Sequence, residues 1–197
     1  MTPARRKAIS LAGIAVLAAL IFLAWSQPWF QLTVRGEPLT VGGDVAAGAL
    51  PPLALASLAL VLALAIAGPF FRVVLGGLDA LIGVAVITTA GFALAHPAAA
   101  SEAAVTKATG ISGTASTTAL ITAQSTSGWP VVAIVVGVLV VLTGVAVAVT
   151  ARAWPASGRK YTRTRLATPE GAEPDPVQEW DALSEGEDPT EPSGAPR

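Results

Sequence analysis

The chain contains no cysteine, and only one histidine is present among its 197 residues. The lack of cysteine excludes disulfides, thiolate metal sites and cysteine nucleophiles. His96 stands alone, so the sequence offers neither a zinc-ligand set nor a base to activate a serine or threonine. Phosphate-binding glycine loops and basic-aromatic patches for nucleic acid are also lacking. We therefore expect no enzyme, no cofactor, no metal and no nucleic-acid partner.

Charge is scarce in four long apolar segments. Hydrophobic residues make up 53% of the chain, and the mean hydropathy is +0.64. The segments cover residues 8–25, 49–67, 73–95 and 129–151, each near the roughly 20 residues that cross a hydrocarbon core of about 30 Å. The sequence therefore predicts an all-α integral membrane protein, with residues 8–154 forming a bundle of four transmembrane helices.

The basic residues are distributed unequally between the two sides of these spans. Of the twelve, only Arg35 and Lys107 fall in the predicted outer loops, residues 26–48 and 96–128. The others precede the first span, follow the fourth, or lie in the turn between the second and third, as Arg72 does. By the positive-inside rule, this predicts a multi-pass plasma-membrane protein with residues 1–7 and 155–197 in the cytoplasm.

The first span has an alternative interpretation as a cleaved signal peptide. Ala24 and Ser26 before Gln27 are typical of a processing site, although the apolar run is longer than the usual 7 to 15 residues of a signal core. Tryptophans lie at the predicted boundaries of the spans, where amphipathic rings anchor helices at the lipid headgroups. The predicted interface anchors are Trp25, Trp29, Trp129 and Trp154. Of these, the pair Trp25 and Trp29 favours a retained first helix.

The first outer loop contains an alternating apolar pattern. Phe30, Leu32 and Val34 recur at a period of two, and glycine and proline separate residues 29–34 from residues 39–41. This pattern predicts a small extracytoplasmic β-hairpin, with an extended loop as the alternative. Because two strands alone are marginally stable in water, a hairpin here must lean on the helix ends or the membrane surface.

The second outer loop is rich in alanine, serine and threonine. Residues 98–108 favour a short helix ending at Gly110, because alanine is the best helix former and glycine suits a helix C-terminus. Residues 112–127 show no consistent period, which predicts a segment that is mobile or ordered only against a partner.

Residues 155–197 form an acidic tail rich in proline, a composition typical of disorder. One short helix is predicted at residues 176–185, with Asp175 as its N-cap and Gly186 as its stop. Trp180 and Leu183 share one face of this helix and are candidates for docking a soluble cytoplasmic protein. The alternative is a solvated, fluctuating segment, since so short a helix is marginal in water.

Asp79 is the one ionisable residue well inside a predicted span, and an intramembrane carboxylate is a functional candidate by default. It follows Arg72 by seven residues, which places both on nearly the same helix face. Two interpretations follow: a structural pair with a snorkelling arginine, or a contact for a proton or a substrate. Gly76, Gly77 and Gly83 nearby allow close approach of another helix.

Several short motifs together resemble a known family. They read Ser-Gln-Pro-Trp at residues 26–29, Leu-Pro-Pro at 50–52, Trp-Pro at 129–130 and 154–155, Arg-Lys-Tyr at 159–161, Trp-Asp-Ala-Leu at 180–183 and Gly-Glu-Asp-Pro-Thr at 186–190. The sequence is similar to the actinobacterial tryptophan-biosynthesis-associated membrane proteins. This resemblance implies a small four-span protein named for its gene neighbourhood with tryptophan synthesis genes, and it implies no reaction and no site residues.

Two hypotheses for function follow from these patterns. The first is a non-catalytic accessory or scaffold protein that recruits a soluble partner through the tail. The second is a small transporter or permease subunit for an amino acid or related metabolite, motivated by Asp79. A single bundle of four spans lacks the repeat architecture of many transporters, so transport would call for a homo-oligomer.

Overall fold

The computed structural model describes the backbone of residues 3–151 and the side chains of residues 5 and 7–151. Trp154, Trp180, Leu183 and the helix predicted at residues 176–185 lie outside these residues. The helices are α1 (Pro3–Trp25), α2 (Gly43–Ala46), α3 (Leu50–Ile66), α4 (Pro69–Ala95), α5 (Pro97–Ala100), α6 (Glu102–Thr109), α7 (Thr114–Ala119) and α8 (Trp129–Thr150). The strands are β1 (Pro28–Val34), β2 (Glu37–Gly42) and β3 (Ile121–Thr126).

Three helices are long and apolar enough to cross a bilayer: Lys7–Trp25 of α1, Pro69–Ala95 and Trp129–Thr150. The helix α3 is equally apolar but shorter, with 17 residues. Large aliphatic and aromatic side chains cover the outside of these helices. Ile66 is 84% exposed, Val149 76% and Phe70 74%. Water would penalise such a surface, so it is suited to lipid.

The helix α4 begins earlier than the predicted span at residues 73–95. Pro69 occupies its first turn, where the missing N–H costs nothing and the fixed φ already suits a helix. The placement of Arg72 in a turn is therefore wrong. It lies in the first turn of α4 and is fully buried.

The buried residues of α4 and α8 follow steps of three and four. On α4 they are Arg72, Gly76, Asp79, Gly83, Val86, Ala90 and Ala93. On α8 they are Pro130, Ala133, Gly137, Val140, Gly144 and Val147, with Val136 beside them. This spacing is the heptad pattern of helices that pack side by side along their whole length.

Glycines bring the backbones of α4 and α8 into direct contact. A Cβ on Gly76 would lie 2.7 Å from the carbonyl oxygen of Gly144, and one on Gly83 would lie 2.7 Å from that of Gly137. The contact is reciprocal, because a Cβ on Gly144 would lie 2.6 Å from the carbonyl oxygen of Gly76. The order of these pairs shows that the helices are antiparallel. Small residues thus fill the interface while large ones face outward, as in membrane helix pairs.

We predict that Gly83→Ala destabilises the protein. The added methyl group must push α8 away, and overpacking of this kind costs about 1 to 3 kcal/mol. Gly77→Ala is the matched control, since a Cβ on Gly77 meets nothing within 4 Å. The measurement is the thermal unfolding midpoint of each variant in detergent. Equal midpoints for Gly83→Ala and Gly77→Ala would contradict the close backbone contact.

The strands form an antiparallel sheet in the order β2-β1-β3. Leu32 of β1 lies between Leu39 of β2 and Gln124 of β3. The turn between β1 and β2 uses Arg35 and Gly36, both with positive φ. We call the sheet together with α2, α5, α6 and α7 the loop module. The two loops that build it are far apart in the sequence, and they meet at one end of the helical region.

The core of the loop module is continuous with the ends of the helices. Phe30, Leu32 and Val105 belong to the same buried cluster as Ile21 of α1 and Val136 of α8. The sheet therefore rests on the bundle, which supplies the apolar surface that two isolated strands would lack.

Trp29 is a core residue rather than a lipid-interface anchor, which corrects its predicted role. Its side chain is fully buried, and its indole Nε1 donates a hydrogen bond of 2.8 Å to the carbonyl oxygen of Ala24. That carbonyl lies in the last turn of α1, where it has no partner within the helix. Gly43 packs against the ring so closely that a Cβ would lie 2.7 Å from Nε1. Trp29 thus joins the end of α1 to the loop module.

The second loop is more regular than its composition predicts. The helix expected at residues 98–108 is present as α5 and α6, interrupted at Ser101, and Gly110 caps it with φ +73°. The prediction for residues 112–127 is wrong, because α7 and β3 lie there. β3 is polar and lacks alternation, and pairing with the apolar strand β1 gives it its conformation.

Candidate functional site

A buried polar contact joins α3 and α4 within the helical region. The hydroxyl of Ser57 donates a hydrogen bond of 2.7 Å to Oδ1 of Asp79, and both residues are fully buried. Asp79 lies about 15 Å along α4 from Pro69, at a rise of about 1.5 Å per residue, and is therefore deep in the helix. This contact crosses between two helices and holds the carboxylate inside the bundle.

The second carboxylate oxygen of Asp79 has no such partner. Within residues 3–151, no group donates a hydrogen bond to Oδ2, although that atom is buried. Leaving a buried acceptor unsatisfied costs about 1 to 3 kcal/mol, and more for a charged group. Arg72 shares the buried face of α4 with Asp79, as their spacing predicts, but the hydrogen bond shown on the carboxylate comes from Ser57.

Ser57 is not predicted as a site residue, although the sequence indicates that it is unusual. It is the single polar residue of α3, which is otherwise built from alanine, leucine, valine, isoleucine and proline. An isolated hydroxyl in such a helix commonly bonds across to another helix. The sequence does not reveal which helix supplies the acceptor.

The loop module contains an open cavity of about 650 Å³ between α2 and α6. Its lining combines small apolar residues, two hydroxyl-bearing residues and two opposite charges: Val45, Ala46, Ala99, Ala100, Glu102, Ala103, Thr106, Lys107 and Ser112. The volume lies within the 300 to 1,000 Å³ typical of small-molecule sites.

The two edges of the sheet differ in chemistry. β2 carries Glu37 and Pro38, which discourage pairing with a further strand. β3 has neither charge nor proline, and it is exposed along its length apart from Ile121. The β3 edge is therefore open to another strand.

The other aromatic residues and His96 are peripheral to these sites. Trp25 and Trp129 are partly exposed at helix ends, and their role as interface anchors stays a prediction. The ring of His96 is exposed and lies 5.0 Å from that of Phe92. Across residues 3–151, no group of three histidine, aspartate or glutamate side chains is arranged to hold a metal ion.

The sequence profile of the tryptophan-associated transmembrane proteins matches residues 11–190. The chain belongs to this family. The resemblance noted in the sequence is thereby confirmed, and with the apolar helices it makes the chain a membrane protein. No curated protein and no solved structure matches the chain.

Proposed function

We propose that this member of the tryptophan-associated transmembrane family is a non-catalytic accessory protein that scaffolds other proteins at the plasma membrane. One observation carries the proposal. Two loops that are distant in the sequence build a single module, and its edge strand β3 is exposed and uncharged. This module rests on helices that contact each other closely at glycines. Such an arrangement is suited to presenting a binding surface.

The proposal includes four spans, with α3 as the fourth. The ammonium of Lys7 donates a hydrogen bond of 2.6 Å to the carbonyl oxygen of Ala65, so the start of α1 lies beside the end of α3. At its other end, Leu50 of α3 belongs to the buried cluster of the loop module. α3 thus runs antiparallel to α1 over about 25 Å. Slight thinning of the bilayer accommodates a span of this length.

The proposed orientation places both termini in the cytoplasm and the loop module outside. Lys7 and Arg72 lie at the helix ends remote from the loop module, whereas the module contains only Arg35 and Lys107 as basic residues. Basic residues are retained on the cytoplasmic side, which supports this direction.

The partner proposed for the β3 edge is a second copy of the chain. An uncharged strand does not repel itself, and antiparallel pairing of β3 with β3 satisfies a twofold axis. Membrane anchoring holds the two modules at the same height, so their edges can meet laterally. The result is a homodimer with one continuous six-stranded sheet.

We predict that Gln124→Cys forms a disulfide-linked dimer when native membranes are oxidised. The chain has no other cysteine, so the crosslink can form only at this position. Thr40→Cys, an exposed position on β2, is the control for the other edge of the sheet and should remain monomeric. Adding Ala123→Lys and Ser125→Lys, which point to the solvent face of β3, should abolish the dimer through charge repulsion. Equal crosslinking at the two edges, or none at Gln124, would refute pairing through β3.

The proposal also assigns the tail to recruitment of a soluble cytoplasmic protein, on the sequence pattern of Trp180 and Leu183. We predict that the full chain retains a partner from cytoplasm in an affinity pull-down and that Trp180→Ala or Leu183→Ala reduces this retention about tenfold, since aromatic anchors dominate such contacts. Ser184→Ala is the control. Retention that is negligible for all four proteins counts against recruitment.

A second candidate function, a transporter subunit for an amino acid or related metabolite, is favoured by the buried carboxylate of Asp79. An incompletely bonded polar group at this depth commonly marks a transport pathway. If the candidate is right, vesicles containing the protein take up labelled amino acid, and Asp79→Asn lowers the rate at least about tenfold. Asp44→Asn, an exposed carboxylate in the loop module, leaves the rate unchanged. Absence of uptake by the unmodified protein rejects transport.

A further inference from the structure

The cavity between α2 and α6 has an unusual distribution of charge. In the loop that covers residues 96–128, Glu102 is the only aspartate or glutamate and Lys107 the only lysine or arginine, and both line this cavity. Two residues that are so scarce in this loop therefore line the same cleft. Their common location therefore suggests a ligand with groups of both signs.

These two charges do not neutralise each other directly. Among the described residues, no ion pair joins Glu102 to Lys107, although both belong to α6. The carboxylate of Glu102 is instead oriented by Thr114, whose hydroxyl donates a hydrogen bond of 2.6 Å to Oε2. One oxygen thus fixes the side chain while the carboxylate keeps further acceptor capacity for a cation. The Lys107 ammonium is exposed at the last turn of α6.

The remaining wall of the cavity is apolar and shallow. Val45 is 39% exposed, and alanines from α5 and α6 face it across the cleft. These small side chains leave room for an apolar group, and the volume of about 650 Å³ accepts one as large as an aromatic ring system.

We propose that this cleft binds a small zwitterion with an apolar substituent, of the α-amino acid class. The ligand ammonium pairs with Glu102, its carboxylate pairs with Lys107, and its substituent packs against Val45. A zwitterion engages both Glu102 and Lys107, whereas a ligand with one charge engages only one of them, so the zwitterion binds more tightly. This assignment goes beyond the scaffold proposal and does not depend on pairing of β3.

The test is calorimetric titration of the full chain in nanodiscs with L-alanine, L-leucine and L-tryptophan. We expect saturable binding that strengthens with the size of the apolar side chain. The N-acetyl derivative of the tightest ligand lacks the ammonium, and its methyl ester lacks the carboxylate. Each derivative should bind about tenfold more weakly, because each loses one charge-assisted hydrogen bond.

Variants assign these losses to the two residues. Glu102→Gln should weaken the free amino acid about tenfold yet leave the N-acetyl derivative unchanged, and Lys107→Met should do the same relative to the methyl ester. Glu37→Gln, an exposed carboxylate on β2, is the control for charge and folding. Lack of saturation by all three amino acids up to about 10 mM, or an affinity in both variants that equals that of the unmodified chain, overturns the proposal. Full binding of the methyl ester shows a site for cations only, which also overturns it. Crosslinking at Gln124 reports separately on the scaffold, so the two proposals fail independently.

Discussion

The backbone contact between α4 and α8 is the constraint on which the rest of the structure depends. Lipid gives helices no hydrophobic reason to associate, so close packing must supply the attraction. Gly76 and Gly83 let α4 approach α8 until main-chain atoms touch, over a distance of two helical turns. α8 also packs against α1, and this places the segment before α8 beside the segment after α1. β3 and β1 are therefore brought together by the helices beneath them.

The loop module shows how the bundle orders chain segments that would not form stable structure in isolation. A hairpin with the pattern of β1 and β2 is marginal in water, and β3 is too polar to build a sheet. Placed on the helix ends, β1 buries Phe30 and Leu32 and offers both its edges for pairing. Trp29 adds a specific link by bonding to the end of α1. The bundle thus supplies the order that local sequence lacks.

Much of the helical region can be predicted from length and apolar character, because lipid imposes both on a membrane helix. The role of Gly83 also follows from its small size. The conformation of β3 cannot be predicted locally, since it depends on pairing with a strand about ninety residues earlier in the chain. Trp29 is misassigned for a related reason. A tryptophan after a span is typical of an interface, and the sequence does not reveal that Gly43 packs over this ring and that Nε1 bonds to Ala24.

The two candidate polar sites are separated by tightly packed apolar residues, and this separation bears on function. The cleft containing Glu102 and Lys107 lies in the loop module, whereas Asp79 lies deep in the helices. A carrier would need a route from one to the other. The intervening part of the bundle is filled by buried apolar residues from both long helices, namely Val86, Ala90, Ala93, Ala133, Val136 and Val140. Farther from the loop module, the glycine contacts leave no gap between the backbones of α4 and α8. Opening a route along this interface would break the contact on which the fold depends, which supports the proposed scaffold over the proposed transporter subunit.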